Sequence, residues 1–291
     1  KLKLRTKISG WIHGRLNEVS ANISTAADGD QLITVSGKPE IVPTVFQWFH
    51  LDSLPQSVKD FYANDTMFMR QGTGFGGSSW GNSTSILKDF IGYTTNYFPQ
   101  ALAWYSAIGD KANSVATAWS FRTIENGNLP QQCSQKSDSL LGIVTTNSNM
   151  FVAAPPDFNQ AEQSLDYKVA SPHFLPDGTV FKGTYNLVMQ SDYARCLYGF
   201  TKAPVAASVS IISIDGTEQI ATSVIGEKDN WLYLSAKNFT FSSPTVRVKL
   251  SQQPEVKPTP TPTPTPQVIV AKSKTITCIK GSIKKRITAI A

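Results

Sequence analysis

The feature that most constrains this chain is a strict proline–threonine repeat at residues 258–266, P-T-P-T-P-T-P-T-P. Proline has no amide hydrogen and a fixed φ, so the repeat cannot join a helix or the interior of a sheet. We expect a disordered, polyproline II linker over 251–267 whose repeat spans roughly 30 Å. An SH3-type ligand is the alternative, but it would need flanking arginine and apolar residues. The chain is therefore divided into a body, a linker and a tail.

Charge is distributed unevenly on the two sides of the repeat. The chain has 27 basic and 21 acidic residues, and seven of the basic but one of the acidic residues follow Pro254. The body is therefore neutral, which argues against nucleic-acid binding despite the net charge of +6. We expect the tail cations to bind an anionic cell-wall polymer, with a solvated tail that has no partner as the alternative. These cations are Lys272, Lys274, Lys280, Lys284, Lys285 and Arg286.

The body has the composition of a folded, mainly β protein. Hydrophobic residues make up 41% of the chain and charged residues 16%, the reverse of a disordered composition. Residues 159–250 contain closely spaced β-like runs with Asp-Gly turn pairs between some of them, so we expect an immunoglobulin-like β-sandwich there. The runs are 165–170, 180–189, 194–200, 207–214, 220–225, 231–235 and 245–250.

Residues 1–158 predict a mixed N-terminal region. Alternating apolar and polar residues predict strands near its start. Apolar residues at helical spacing predict helices near 54–62 and 83–98. The fold class that we expect is α+β, predominantly β, with a sandwich over 159–250 and a short basic tail over 268–291.

Three cysteines are present, Cys133, Cys196 and Cys278, and none stands in a metal-ligand spacing. The two body cysteines predict a Cys133–Cys196 disulfide if the protein is exported, and two buried free thiols are the alternative. No apolar run has the length of a signal peptide or a transmembrane helix. We expect no metal and no cofactor.

One segment matches a catalytic motif. Residues 77–81, G-S-S-W-G, fit the G-x-S-x-G nucleophile elbow, with Ser79 as nucleophile, His173 as base and Asp157 or Asp166 as acid. The body lacks the repeated βα pattern of that hydrolase fold, and a glycine-rich loop matches such a motif easily by chance. We therefore favour a loop here and a chain that is not an enzyme. Trp80, in the same polar segment, is the best candidate for contact with a ligand such as a carbohydrate.

The tail predicts a small β-hairpin that turns at Gly281-Ser282, and here the sequence resembles a known group. The pattern T-I-T-C-x-K-G-x-x-K-K-x-x-T-A after a Pro-Thr linker is similar to the C-terminal module of uncharacterised secreted or surface proteins of actinobacteria-like Gram-positive bacteria. In those modules a second cysteine follows, so we expect the tail to continue beyond Ala291 and to supply a partner for Cys278. Four runs of the body resemble the same group: residues 10–15, 165–170, 181–185 and 191–200.

The resemblance implies an extracellular location at the cell surface, and no activity. Together with the linker and the basic tail, it predicts a secreted module for adhesion or recognition whose tail associates with the wall. A secreted carbohydrate-active enzyme or carbohydrate-binding protein is the alternative, because Pro-Thr linkers also join catalytic to binding modules. Two facing carboxylates in a deep cleft lined by tryptophan would favour the enzyme.

Overall fold

The structure is a computed structural model. It describes residues 1–6, 10–63, 79–81, 85–90, 98–124, 133, 139–201, 205–213, 216–220, 222–241, 245–252 and 272–290. The chain divides into two compact units, Lys1–Gln253 and Pro254–Ala291. Most of the expected linker, 253–267 of 251–267, lies outside the described residues.

Strands dominate the fold, in agreement with the expected predominance of β structure. Alternating and β-branched segments pair into sheets, and the helices are short connections. The strands are β1 (Leu2–Thr6), β2 (Gly10–Arg15), β3 (Asn17–Thr25), β4 (Gln31–Lys38), β5 (Glu40–His50), β6 (Ser79–Gly81), β7 (Ser85–Phe90), β8 (Ser114–Ala118), β9 (Ser120–Ile124), β10 (Leu140–Thr146), β11 (Met150–Phe151), β12 (Asp157–Asn159), β13 (Ser164–Ala170), β14 (Gly183–Gln190), β15 (Val205–Ile212), β16 (Glu218–Ile220), β17 (Thr222–Lys228), β18 (Trp231–Phe239), β19 (Thr245–Gln252), β20 (Ser273–Lys280) and β21 (Ile283–Ile290). The α-helices are α1 (Gln56–Phe61), α2 (Phe98–Ala107) and α3 (Ser191–Tyr198).

A six-stranded sheet in the order β17-β18-β14-β10-β2-β9 is the centre of the body. Its neighbours are antiparallel except for β10 and β2, which run parallel. One face packs on a second sheet, β11-β13-β19-β15-β16 with β12 beside β13. Leu187 and Leu234 of the central sheet share one apolar core with Val209 and Val248 of the second sheet. This main core also includes residues of α1, α2 and α3.

The other face of the central sheet packs on a three-stranded sheet, β1-β4-β3. Ile143 and Val188 of the central sheet meet Ile33 and Val35 of β4 in a second, smaller core. The central sheet is thus the middle of three layers, and its strands are apolar on both faces for that reason. A four-stranded sheet, β6-β7-β5-β8, completes the body.

The helix expected near 54–62 is present as α1, but the helix expected near 83–98 is wrong. Ser85–Phe90 forms strand β7, which pairs with β5 on one side and with β6 on the other. Ladder bonds on both edges outweigh the helical spacing of a short apolar run, which is ambiguous by itself. The β-like run at 194–200 is also wrong, because α3 covers most of it and ends at Gly199, whose φ is 66°.

An immunoglobulin-like sandwich over 159–250 is not confirmed. Strands β14, β17 and β18 from this range join a sheet that also contains β2, β9 and β10. Strands from before and after residue 158 therefore share hydrogen bonds and cores, so residue 158 is not a boundary between two domains. The unit that does separate from the body begins at Pro254.

Candidate functional site

The three-stranded sheet covers only part of its face of the central sheet. Beside it, on the uncovered part of the same face, a cleft of about 600 Å³ opens. Strands β14 and β18 supply its floor, including Val188, Tyr233 and Ser235. Strand β3 forms one wall and strand β17 the other, so we name it the β3–β17 cleft. A cleft of this volume is typical of sites for small ligands or short segments of chain.

Both walls of this cleft are edge strands. Strand β3 is the last strand of the sheet β1-β4-β3, and β17 is the last strand of the central sheet. The lining includes five consecutive residues of β3, 18–22, and an unbroken run from β17 into its turn, 225–229.

The acidic side chains of the cleft are paired with cations. Lys38 Nζ lies 2.7 Å from Glu18 Oε2, and this hydrogen bond lowers the pKa of Glu18. Arg195 donates to both carboxylate oxygens of Glu227, at 2.8 and 2.9 Å, which lowers the pKa of Glu227 as well. A general acid for glycoside hydrolysis needs a raised pKa. The pKa shifts of Glu18 and Glu227 are therefore opposite in direction to the one that such an acid needs.

The four-stranded sheet carries exposed aromatic side chains on β5. Phe46 and Trp48 are 58% and 55% exposed, and His50, also exposed, follows them at the same two-residue spacing. His50 Nδ1 lies 3.1 Å from the hydroxyl of Ser85 on β7. Asn113 fixes the strand beneath, since its side chain accepts from the Phe46 amide at 2.9 Å and donates to the Phe46 carbonyl at 2.7 Å. Phe46, Trp48 and His50 are called the aromatic strip.

Strand register places the predicted ligand residue, Trp80, in line with this strip. Trp80 of β6 is the cross-strand partner of Leu87 of β7, and Leu87 is the partner of Trp48. Trp80 and Trp48 therefore hold corresponding register positions on β6 and β5, with Leu87 of β7 between them.

The residues of the predicted hydrolase triad lie on separate parts of the body. Ser79 lies within strand β6, opposite Lys88 of another strand, so it does not stand at the strand–turn–helix junction of a nucleophile elbow. His173 Nδ1 lies 2.8 Å from the Phe241 carbonyl oxygen. Asp166 accepts two hydrogen bonds from Arg247, at 2.9 and 2.8 Å. His173 and Asp166 are thus engaged with other partners, and Asp157, the other candidate acid, lies opposite Asp166 in the ladder between β12 and β13.

The predicted Cys133–Cys196 disulfide is confirmed, and the alternative of two free thiols is wrong. The bond joins residues 63 positions apart, with the Cα atoms 5.7 Å from each other. It ties Cys133 to helix α3. Cys278 of the tail is exposed and forms no disulfide within the described residues.

The tail unit is a two-stranded hairpin, β20 and β21, which turns at Gly281. Its register opposes Lys284, Lys285 and Arg286 to uncharged residues of β20. No two cations are directly opposed within this hairpin, which avoids the repulsion of like charges in a cross-strand pair. All six candidate wall-binding cations, from Lys272 to Arg286, are exposed.

Sequence reasoning missed a buried polar cluster at the end of β2. Arg15, 6% exposed, donates to the carbonyl oxygens of Ser148 and Asn149 and lies over the Phe151 ring at 4.9 Å. Burial, with the nearby Arg122 and Arg15, lowers the pKa of His13 to about 4. The sequence shows this cluster only as a charged residue beside an apolar strand. Such a residue can be buried or exposed, depending on what covers the strand. We assign this cluster to the architecture of the core.

Within the described residues, no group of three or more His, Cys, Asp or Glu side chains is placed to hold a metal ion. No described helix is both long and apolar enough to cross a membrane. No protein-family model matches the chain, and no curated protein and no solved structure matches it either.

Proposed function

We propose that this chain is a secreted, surface-displayed recognition protein, whose body binds a carbohydrate and whose tail associates with an anionic cell-wall polymer. The observation that carries the proposal is the pair of exposed aromatic side chains, Phe46 and Trp48, on one rigid strand. The disulfide supports export, because such bonds persist in oxidising compartments. The resemblance of the tail to secreted surface proteins points the same way.

Carbohydrate is the ligand that fits this strip best. Flat aromatic faces pack against the C–H faces of pyranose rings, and side chains two residues apart on a strand are about 7 Å apart. Polar side chains flank the aromatics at one end, where the ring of His50 lies 3.1 Å from the hydroxyl of Ser85. Such groups can bind sugar hydroxyls without the desolvation of a full charge. A large exposed apolar patch with a polar rim is typical of a binding surface.

An enzyme acting on carbohydrate is the weaker candidate. It needs a carboxyl group with a raised pKa facing a second carboxylate across a cleft. In the β3–β17 cleft, Glu18 and Glu227 instead have lowered pKa values because each is bonded to a cation. The geometry therefore supports binding.

The substitution Trp48→Ala tests the body. We expect wild-type protein to be retained by at least one of cellulose, chitin, xylan and Gram-positive peptidoglycan in a pull-down assay, and W48A to bind it about tenfold more weakly, a loss of about 1.4 kcal/mol. Ile41→Ala is the matched control, since Ile41 is a similarly exposed apolar residue of β5 away from the strip. Equal losses for W48A and I41A, or no retention on any of the four polymers, would contradict the proposal.

The triple substitution K284Q/K285Q/R286Q tests the tail. We expect it to weaken binding to immobilised teichoic acid at least about tenfold, because each cation near an anionic surface contributes about 1 kcal/mol. Added salt should weaken the wild type in the same direction. The control K111Q/K168Q/K182Q removes the same charge from exposed body positions. Loss of binding in the control alone would assign the wall contact to the body.

A further inference from the structure

We propose that the β3–β17 cleft binds a neutral aromatic ring compound that carries N–H donors, and that its ring stacks beside Tyr233 above Gly226. This site is separate from the aromatic strip, and it takes a different class of ligand. The volume of the cleft, about 600 Å³, lies within the range of pockets for small molecules. The proposal rests on the open space at Gly226, the hydrogen bonds of the floor and the balance of charge.

Gly226 leaves an open space on the cleft face of the central sheet. It is the cross-strand partner of Tyr233, whose partner on the other side is Val188. Tyr233 lies on the cleft face because its neighbours along the strand, Leu232 and Leu234, point into the main core. A Cβ placed on Gly226 would meet no atom within 4 Å. The side of Tyr233 that faces β17 is therefore not covered by its cross-strand partner.

Tyr233 is held in a fixed position next to this space. Its hydroxyl donates to the Ala21 carbonyl oxygen at 2.8 Å, which ties the ring to the β3 wall. The ring thus leans toward β3 and away from Gly226. A side chain that is already fixed loses little freedom when a ligand packs on it. Aromatic rings also attract one another beyond the effect of buried area, so a flat ring fits this space well.

The fold itself does not require glycine at position 226. Its φ is not among the positive values of this chain, and a side chain would have room. A glycine within a strand weakens it and often marks a site where a ligand approaches closely. The space above Gly226 is where that ligand would lie.

The uncharged polar side chains of the floor have already used their hydrogens. The Ser235 hydroxyl donates to Asn186 Oδ1 at 2.8 Å. The Asn186 amide nitrogen donates to the Leu16 carbonyl oxygen and to the Thr145 hydroxyl, at 3.2 and 3.1 Å. A hydroxyl has one hydrogen and two lone pairs, so Ser235 and Tyr233 can still accept a hydrogen bond but not donate another. The ligand must therefore supply the hydrogen, which an N–H group does.

The charges of the cleft are balanced among themselves, which favours a neutral ligand. The acidic residues of the two walls are ion-paired, as described above. The ion pair of Glu18 lowers its pKa most, and Lys237 adds to this effect. Lys237 also opposes the rise in pKa that burial causes at Glu40. At the rim, Lys228 Nζ lies 3.9 Å from a carboxylate oxygen of Asp229. A neutral ligand leaves all these pairs in place.

A carbohydrate fits this cleft less well than it fits the aromatic strip. Sugar hydroxyls need hydrogen-bond donors as well as acceptors, and the uncharged side chains of the floor offer acceptors alone. Ser235 lies two residues along β18 from Tyr233, about 7 Å away on the same face. A flat ring beside Tyr233 can therefore direct an N–H group at its edge toward the Ser235 oxygen.

Indole and benzofuran are the probes, because they have the same shape and differ in one group. Indole has a ring N–H where benzofuran has a ring oxygen. We expect saturation-transfer NMR with the full chain to detect indole at millimolar concentration. Titration followed by the chemical shift of the Gly226 amide should give benzofuran an affinity about fivefold weaker, because it cannot donate to the Ser235 oxygen.

Gly226→Val should bind indole at least about tenfold more weakly than the wild type, because the side chain fills the space beside Tyr233. Valine suits a strand, so the variant should fold. The control Ser208→Val places the same side chain on an exposed strand position of the second sheet, and should bind as the wild type does. Circular dichroism and the unfolding midpoint establish that both variants are folded. If G226V does not fold, Gly226→Ala takes its place.

Ser235→Ala should remove the preference for indole over benzofuran, which a merely loosened cleft would not do. No saturation transfer to indole, equal affinity for the two probes, or indole binding that G226V leaves unchanged would overturn the proposal. So would indole binding that W48A abolishes, since the aromatic strip would then be the site. Binding of cellulose, chitin or xylan fragments that G226V blocks and W48A does not would also overturn it, since the cleft would then be a carbohydrate site.

Discussion

Two hairpins of this chain share a local design and differ in what surrounds them. Strands β17 and β18 are joined by Asp229 and Asn230, with φ of 51° and 63°, and strands β20 and β21 turn at Gly281, with φ of 62°. Positive φ at the turn matches the right-handed twist of the flanking strands. Both pairs keep an unbroken register up to the turn.

The difference lies in burial. In the body hairpin, Leu232 and Leu234 are buried in the main core, and β18 is paired with β14 on its other side. In the tail hairpin, Ile276 and Ile287 are 63% and 53% exposed. A two-stranded hairpin alone is marginally stable in water. Turn chemistry therefore sets the pairing in both hairpins, whereas burial holds only the body hairpin in place.

The largest expected effect comes from truncating one buried and one exposed apolar residue. Leu234→Ala should lower the free energy of unfolding of the body by about 2–5 kcal/mol, through lost burial and a cavity. Ile276→Ala should leave it unchanged within about 0.5 kcal/mol. All six tryptophans lie in the body, so denaturant unfolding followed by their fluorescence measures the body alone. A lower midpoint in I276A would mean that the tail packs on the body.

A second test uses pH. The body contains a buried titratable group, whereas residues 272–290 of the tail contain no side chain that titrates in the acidic range. Residues 272–290 contain no Asp, Glu or His, whereas burial lowers the pKa of His13 to about 4. The unfolded chain binds that proton below about pH 6.5 and the folded chain does not. Body stability should therefore fall as the pH falls from about 6.5 to about 4, by up to about 3 kcal/mol.

Replacement of His13 by glutamine isolates this contribution. Burial raises the pKa of Glu40, which has the opposite effect on stability, so the wild type alone mixes the two. The difference in unfolding free energy between wild type and H13Q should shift by about 3 kcal/mol across this window. Parallel curves of unfolding free energy against pH for the two proteins would mean that His13 does not change its protonation on unfolding. Exchange protection of residues 272–290 should not change with pH once the intrinsic exchange rate is corrected.

The sequence predicted the local parts of this architecture better than their assembly. The disulfide and the turn of the tail at Gly281 could be read from short patterns. The strand at β7 could not, because pairing on two edges decided it against helical spacing. Helix α3 had a readable stop at Gly199, but its apolar residues also fit a strand.

The candidate sites depend on contacts that no local pattern records. The β3–β17 cleft joins residues 18–22 to residues 225–229, and an open edge is a property of the complete sheet. Phe46 and Trp48 were visible as aromatics, but alternation alone does not say which face of a strand stays uncovered. Trp80 was chosen for its polar surroundings, and the register places Trp48 at the corresponding position two strands away.

The smallest expected effect is also the sharpest comparison of the two hairpins. Asp229→Ala measured against Asp229→Gly, and Gly281→Ala measured against the wild type, each compare alanine with glycine at a positive φ, where alanine costs about 1 kcal/mol. In the body this should lower the unfolding temperature by about 2–4 °C and leave the hairpin formed. In the tail the same cost should lower the ratio of formed to open hairpin about fivefold, because a two-stranded hairpin is only marginally stable in water. Amide exchange of peptides from residues 272–290, followed by mass spectrometry, measures the tail. For the body turn the control is Asp229→Gly, because glycine keeps the turn conformation accessible. If G281A retains full protection from exchange, contacts beyond the turn hold the tail hairpin. Burial would then stabilise the tail hairpin as it does the body hairpin.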